Sequence, residues 1–347
     1  MPGNSLPELL VKINGSPLEE KIQGAVTRAT IRSHLDRSDT FQLEIDSGME
    51  YLVDSAYFDL GAAIQISLGQ ADDMTMVFDG EITAWFCEFV DGKGMKFTVR
   101  GADRSHRMHR SVRNRAFNVD SDSAAVKQIA GEYGLSPEVT DTAVYQDVRI
   151  QMNQTDHAFI RDRARRLGWI YRVEGKKLIF APPSFEDSGK AFSTEENIAT
   201  WDIGMDLSPV VTKVQVYGWD MVKKKPITSD AAPGKELWAP SGSQFGPKLA
   251  KKYFGEAPAQ VMDIPVATQD EADDVAKGLF QKLSENCLKG PVTVAGDPEL
   301  KVGTLVSLNG LGKALDGSYL AGEIVHIYTR DSGYVTRIMA IRNALNL

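Results

Sequence analysis

Six arginines, Arg100, Arg104, Arg107, Arg110, Arg113 and Arg115, crowd around His106 and His109, with Asp103 the one opposing carboxylate in that stretch. Guanidinium groups bind phosphates or pair with carboxylates through two parallel hydrogen bonds. A single nucleic-acid strand would also need aromatic rings on which to stack its bases, and none occurs before Phe117. The formal charge of −8 and a pI near 5.3 repel nucleic acid and anionic membranes at long range. These arginines are therefore expected to form an ion-pair surface between subunits or domains, and nucleic acid is not an expected partner.

Asp103, His106 and His109 stand at i, i+3 and i+6, a spacing that aligns the first and last poorly on a helix, so solvated or hydrogen-bonded histidines are expected there and not a metal site. His157 beside Asp156 could pair locally, and His326 is expected in a strand. There is no Gly-x-Ser-x-Gly elbow, His-Glu-x-x-His helix or Gly-x-x-x-x-Gly-Lys phosphate loop. No catalytic residue, cofactor or metal is expected, and the chain reads as a non-enzyme. Cys87 and Cys287 fit no disulfide framework and are expected to be buried free thiols.

The elements that position these residues follow from periodicity. From Glu8 to about Asp103 the pattern alternates with period two, as in Leu10–Gly15, Phe41–Ile45 and Met95–Val99, and predicts strands. Asp91-Gly92-Lys93-Gly94 predicts a tight hairpin. Helical periodicity then predicts one helix over Asp120–Tyr133, with Ala124, Val126, Ile129 and Ala130 on one side and Gly134 at its end. A second should start at Thr155 or Asp156, bear Phe159, Ile160, Ala164 and Leu167, and stop at Gly168. A hairpin of Trp169–Val173 and Lys177–Phe180 follows, its aromatic strand expected to serve as a packing surface for the helix.

Pro182-Pro183 and Ser184–Lys190 read as a linker. Strands return over Ile198–Ile203 and Val210–Gly218, residues 221–267 read as a long irregular excursion containing Lys223-Lys224-Lys225, and Thr268-Gln-Asp-Glu271 predicts a capped helix carrying Ala272, Val275, Ala276, Leu279 and Leu283. Val292 to Arg342 is strand-rich. The expected class is α+β, mainly β. Its units are a first antiparallel β-barrel over 1–103, an α/β unit over 104–186, a second barrel from 187–220 and 291–347, and a peripheral insertion over 221–290. Two stretches share a cadence of turn, strand, turn, strand: Phe58–Ile82, and Leu300–Ile324, each followed by a hairpin, which suggests barrels of similar build.

Val77–Ile82, Gly101–His109, the Thr155–Gly168 helix with its aromatic strand, and Gly296–Gly303 followed by Leu315–Tyr319, His326 and Gly333–Thr336 occur together in this order. Through them the chain resembles the phage late control protein D and baseplate hub family, and the N-terminal half of VgrG-type spikes. The resemblance covers most of the chain. It implies a homotrimeric ring of two barrels per subunit, adapting a sixfold inner tube to a threefold spike in a phage tail or injection-system particle. Tube protein, spike and baseplate wedge proteins would be its partners. VgrG-like chains continue past the second barrel, so a separate spike polypeptide is expected. A cell-wall hydrolase or effector of the same machine, or a tail-tube subunit, are the competing readings. The N-terminus has no charged segment followed by an apolar one, so synthesis in the bacterial cytoplasm without a signal peptide and without membrane anchoring is expected.

Overall fold

The computed structural model describes residues 8–46, 52, 56–70, 73–91, 94–143 and 149–346. In the first hundred residues the alternating stretches form Glu8–Ile13, Val26–His34, Thr40–Ile45, Ala63–Gln70, Asp73–Val90 and Gly94–Ala102. Period-two alternation sends every second side chain to one face. Val11, Ile31, Leu43, Ile64, Ile66 and Val99 thereby reach a fully buried core. The turn residues Gly92 and Lys93 of the expected hairpin lie outside the described residues, but the strands that flank them pair down to Val90 opposite Gly94.

A second set, Asp187–Ser193, Ile198–Trp201, Leu288–Ala295, Leu305–Asn309, Gly317–Thr329 and Gly333–Arg342, packs Val292, Val294, Val306, Leu308, Tyr319 and Ile338 into another core. Val26–His34 pairs antiparallel with Gly317–Thr329, from Arg28 opposite Thr329 to His34 opposite Glu323. A single 14-stranded sheet results, and the two expected barrels are two core-bearing halves of it, with no closed ring of pairings among the described residues. The linker expected at 184–190 runs into a strand at Asp187, which pairs in parallel with Leu305–Asn309, a partner too distant in sequence for local composition to reveal.

One edge of this sheet is covered. After Glu8–Ile13 the chain turns into helix α1 (Glu20–Ala25), whose Gln23 side chain lies along the strand. Val11 N donates to Gln23 Oε1 (3.0 Å), Gln23 Nε2 donates to the Leu9 carbonyl (2.7 Å), and Leu18 N donates to the Val11 carbonyl (3.0 Å). The side-chain amide thus imitates a neighbouring strand and satisfies groups that an open edge would leave exposed.

The helical middle forms as its periodicity requires. Helix α2 (Asp122–Glu132) is capped by Ser121, whose hydroxyl accepts from Ala124 N at 3.3 Å, and Gly134 takes the left-handed conformation after it. Ala125 is buried and Ala124 only half-buried, a shift of one residue around the expected stripe. Helix α3 (Asp156–Leu167) is capped by Thr155 and ended by Gly168 at φ +67°. Both pack with the hairpin Ile170–Glu174 and Lys177–Ala181 in a third core, which includes Tyr171 and Phe180.

The expected excursion is ordered. Lys213–Asp220, Lys225–Ala231 and Pro258–Val261 form a separate three-stranded sheet. Its inner face takes Val275, Ala276 and Phe280 of helix α5 (Gln269–Ser284), and helix α4 (Gly246–Phe254) precedes the third strand. Thr268 Oγ1 accepts from Glu271 N at 3.2 Å, while the Glu271 carboxylate reaches the amide of Ala267, one residue before the cap (2.9 Å). Helix α5 crosses α3 so closely that a Cβ on Gly278 would stand 2.2 Å from the Leu167 carbonyl carbon, which only glycine permits.

Candidate assembly interface

The arginine stretch is positioned by Asp103. Its carboxylate accepts from Ser105 N at 2.7 Å and opens a short 3₁₀ turn over Arg104–His109. The turn lays its cations against the strand Asp73–Val90: Arg104 meets Asp79 at 2.9 Å, and Arg107 grips Glu81 with two bonds of 2.8 Å. His106 Nε2 lies 2.8 Å from the same carboxylate. Burial pushes the Glu81 carboxyl up, but the hydrogen bonds from His106 and Arg107 outweigh it and leave the group below the usual carboxylate range.

Beyond the turn, strand Val112–Phe117 points Arg113 and Arg115 at the α2–α3 unit. Arg113 pairs with Glu132 at 3.0 Å, and Arg115 pairs with Glu132 at 2.7 Å and with the fully buried Asp156 at 2.6 Å. Arg100, on the other side of the turn, donates to Gln42 at 2.8 Å and covers the Phe86 ring at 4.7 Å. Arg110 is exposed and has no ion-pair partner among the described residues. Five of the six guanidiniums thus hydrogen-bond within the chain, Arg110 being the exception among the described residues.

Asp103, His106 and His109 do not converge. Asp103 turns to the backbone amides of Asp39 and Ser105, His106 to Glu81, and His109 stacks on His157 with ring centroids 3.7 Å apart. No group of three or more metal-ligating side chains forms among the described residues. His157 leaves its Nδ1 without a partner in place of a pairing with Asp156, and burial pushes its pKa down to about 3. His326, buried in the strand Gly317–Thr329, shares its Nδ1 with the Tyr334 hydroxyl at 2.7 Å, and burial lowers it to about 4. Trp169 and Tyr171 both pack inward, Trp169 edge-on to Phe180.

Beside Arg110 runs a feature that periodicity alone missed. Asp73–Val90 is eighteen residues long, and its first half pairs with Ala63–Gln70 only as far as Glu81. From Thr83 to Val90 it pairs on one side, with Gly94–Arg100, and no strand among the described residues occupies its other edge. Trp85, Phe86 and Phe89 are 40%, 50% and 74% exposed along this open edge, and Leu60 next to it 63%. Cys87 lies here too and is exposed, contrary to the expectation of a buried thiol, whereas Cys287 is buried. The run Trp85-Phe-Cys-Glu-Phe89 carries the signal, because a strand with one wet face would alternate apolar and polar residues, and this one does not.

Two further charge sites were not apparent from spacing. Where the first, second and third cores meet, a cleft of about 500 Å³ is lined by Asp39, Asp103, Arg172, Lys301 and His326. Burial, and for Asp103 also the neighbouring Asp39, push these carboxyls up to about 6 and about 7. Inside the helical unit, Asp122 is surrounded by Arg149 at 3.0 Å, Arg163 at 3.6 Å and a close Arg166. No helix among the described residues is long and apolar enough to cross a membrane.

The fold is shared with phage tail proteins. A 43 kDa tail protein of a Mu-like prophage of Shewanella oneidensis superposes with a TM-score of 0.72 at 16% identity, covering 98% of this chain and 99% of that one. A tail protein of Neisseria meningitidis gives 0.69 at 14% identity, with 97% and 96% coverage. A type VI secretion component of Escherichia coli, described as structurally similar to bacteriophage T4 tail proteins, gives 0.60 at 11%, with 96% and 76%. No curated protein sequence matches the chain. The family described as Alg8 N-terminal domain matches residues 4–329, and the chain belongs to that family.

Proposed function

We propose that the chain is a structural baseplate hub of a contractile tail or injection system, a homotrimeric ring that joins a sixfold inner tube to a threefold spike and contacts baseplate wedge proteins. The observation that carries this reading is the fold shared end to end with tail proteins. In it, the halves 8–103 and 187–212 with 288–346 form the ring wall, and 104–186 and 213–287 sit outside it. The role is geometric and not catalytic.

The open edge from Thr83 to Val90 supports the ring. Unpaired strand groups flanked by exposed aromatic side chains are a template for a neighbour, and Arg110 beside them suits a carboxylate of a chain that carries an excess of acids. A neighbour that meets this edge with a different surface of its own makes a heterologous contact, which closes a ring when the rotation permits. Mass measurement in solution and in the assembled particle tests the reading. The expected result is three times the 38.1 kDa chain mass, reduced by Phe89→Lys on the open edge. A monomer in both settings would overturn it.

A further inference from the structure

The three-stranded sheet of Lys213–Asp220, Lys225–Ala231 and Pro258–Val261 has one face on helix α5 and an exposed hairpin apex. Val214, Val216 and Ile227 point inward, and Gly218 lies so tight against Val266 that a Cβ would meet it at 2.2 Å. By alternation Tyr217, Trp219 and Pro226 share the other face. Trp219 and Met262 are 49% and 67% exposed, and at the apex of the hairpin Met221 and Val222 are 76% and 91% exposed. The turn is built firmly: Asp220 Oδ1 accepts from Val222 N at 3.0 Å and from Lys223 N at 2.9 Å, and Lys224 sits at φ +53°. Lys223, Lys224 and Lys225 follow the apolar apex at once and are all exposed. Lys223 approaches Asp220 at 3.5 Å, while Lys224 and Lys225 have no acidic partner among the described residues.

We infer that this hairpin apex docks on an anionic phospholipid surface, with Met221, Val222 and Trp219 entering the headgroup layer and the lysines lying at the phosphates. Convexity favours a bilayer over a protein partner. The most exposed side chains stand at the tip of a turn, whereas a stable protein contact needs a patch of roughly 800 Å² on each partner. Lysine is depleted from protein interfaces but serves at lipid surfaces, where a flexible stem lets the ammonium reach the headgroups, and Trp is enriched at that depth. The net charge of −8 does not prevent this, because charges farther than a Debye length of about 10 Å from the apex are screened. The contact is peripheral and needs no spanning segment.

Flotation of the full chain with phosphatidylcholine vesicles containing phosphatidylglycerol, against pure phosphatidylcholine, tests the proposal. Binding should require the anionic lipid and fall as salt rises. Lys223→Gln with Lys224→Gln should weaken it by about 25-fold, at about fivefold for each lysine near the surface. Met221→Asp with Val222→Asp should abolish it, while the unchanged melting temperature expected for apex substitutions shows that the variants remain folded. Absence of flotation by the parent chain overturns the proposal. So does flotation unchanged in both variants, or an apex-dependent rise in solution mass that gives the surface to a second copy.

Discussion

Asp122→Asn removes one charge and almost no volume from the centre of the helical unit. Asp122 is 1% exposed and Arg149 5%, while Arg163 and Arg166 are near 15%, so water screens these pairs little. A pair at about 4 Å is worth about 4 kcal/mol at an effective dielectric of about 20, before the cost of dehydrating the charges. Breaking a buried pair from one side measures about 3–5 kcal/mol, because the partner cation stays buried and uncompensated. Here three cations are left facing one another, and Arg163 retains its stacking on Phe159 at 3.8 Å and a 3.4 Å hydrogen bond to the Ile150 carbonyl. A loss of about 3–5 kcal/mol is therefore expected in urea unfolding, with hydrogen exchange at α2 and α3 amides accelerated first. Burial raises the Asp122 carboxyl, but Arg166, Arg163 and Arg149 outweigh it and hold the carboxyl below its ordinary value. Its contribution is then fully present above the unfolded-chain pKa near 3.8 and is lost as pH falls through the lower folded value, so parent and variant should converge in acid. A loss below about 1 kcal/mol at neutral pH, or a difference that grows in acid, would refute this account.

Gly278→Ala should lower the melting temperature, with an overpacking cost of about 1–3 kcal/mol that exceeds the gain in helix propensity of up to about 1 kcal/mol, since the new Cβ meets Leu167 and Gly168 backbone atoms. The pH dependence of stability should respond to Asp103→Asn. The folded chain holds a proton at Asp103 up to about pH 7 that the unfolded chain releases near 3.8, so stability falls as pH rises through that window. Burial lowers His34, His109, His157 and His326, so they add stability to parent and variant alike as pH rises through the unfolded histidine range, and the Asp103 effect is read as the difference between the two in thermal melts: the parent should lose stability relative to the variant as pH rises from about 4 to about 7.

Local chemistry was legible wherever it is written in consecutive residues. The Thr155 and Thr268 caps, the left-handed glycines Gly134 and Gly168 and the hairpin around Gly175 follow from side chains within a few positions of one another. Pairings between distant segments were not. Nothing near Asp187 announces its parallel partner Leu305, and nothing near Val26–His34 announces Gly317–Thr329. The arginine stretch was visible as a density of charge, but which guanidinium stays free depended on where Asp79, Glu81, Glu132 and Asp156 fold to meet four of the others and where Gln42 meets Arg100. Lys225–Ala231 escaped notice because only Ile227, Ser229 and Ala231 face inward, and a serine in that series hides the alternation.

The pairing of Val26–His34 with Gly317–Thr329 also sets a clock. At about 5–20 residues per second, a ribosome that has delivered His34 needs on the order of fifteen to sixty seconds more to deliver Thr329. Once Val99 is made, the first core has all its buried hydrophobic residues but Tyr334, yet one side of its strand Val26–His34 is bare, an edge on which another chain can pair. Completion waits for Gly317–Thr329, so products truncated before it cannot finish the sheet, and only a chain made past Thr329 can present a paired Val26–His34 edge to its neighbours.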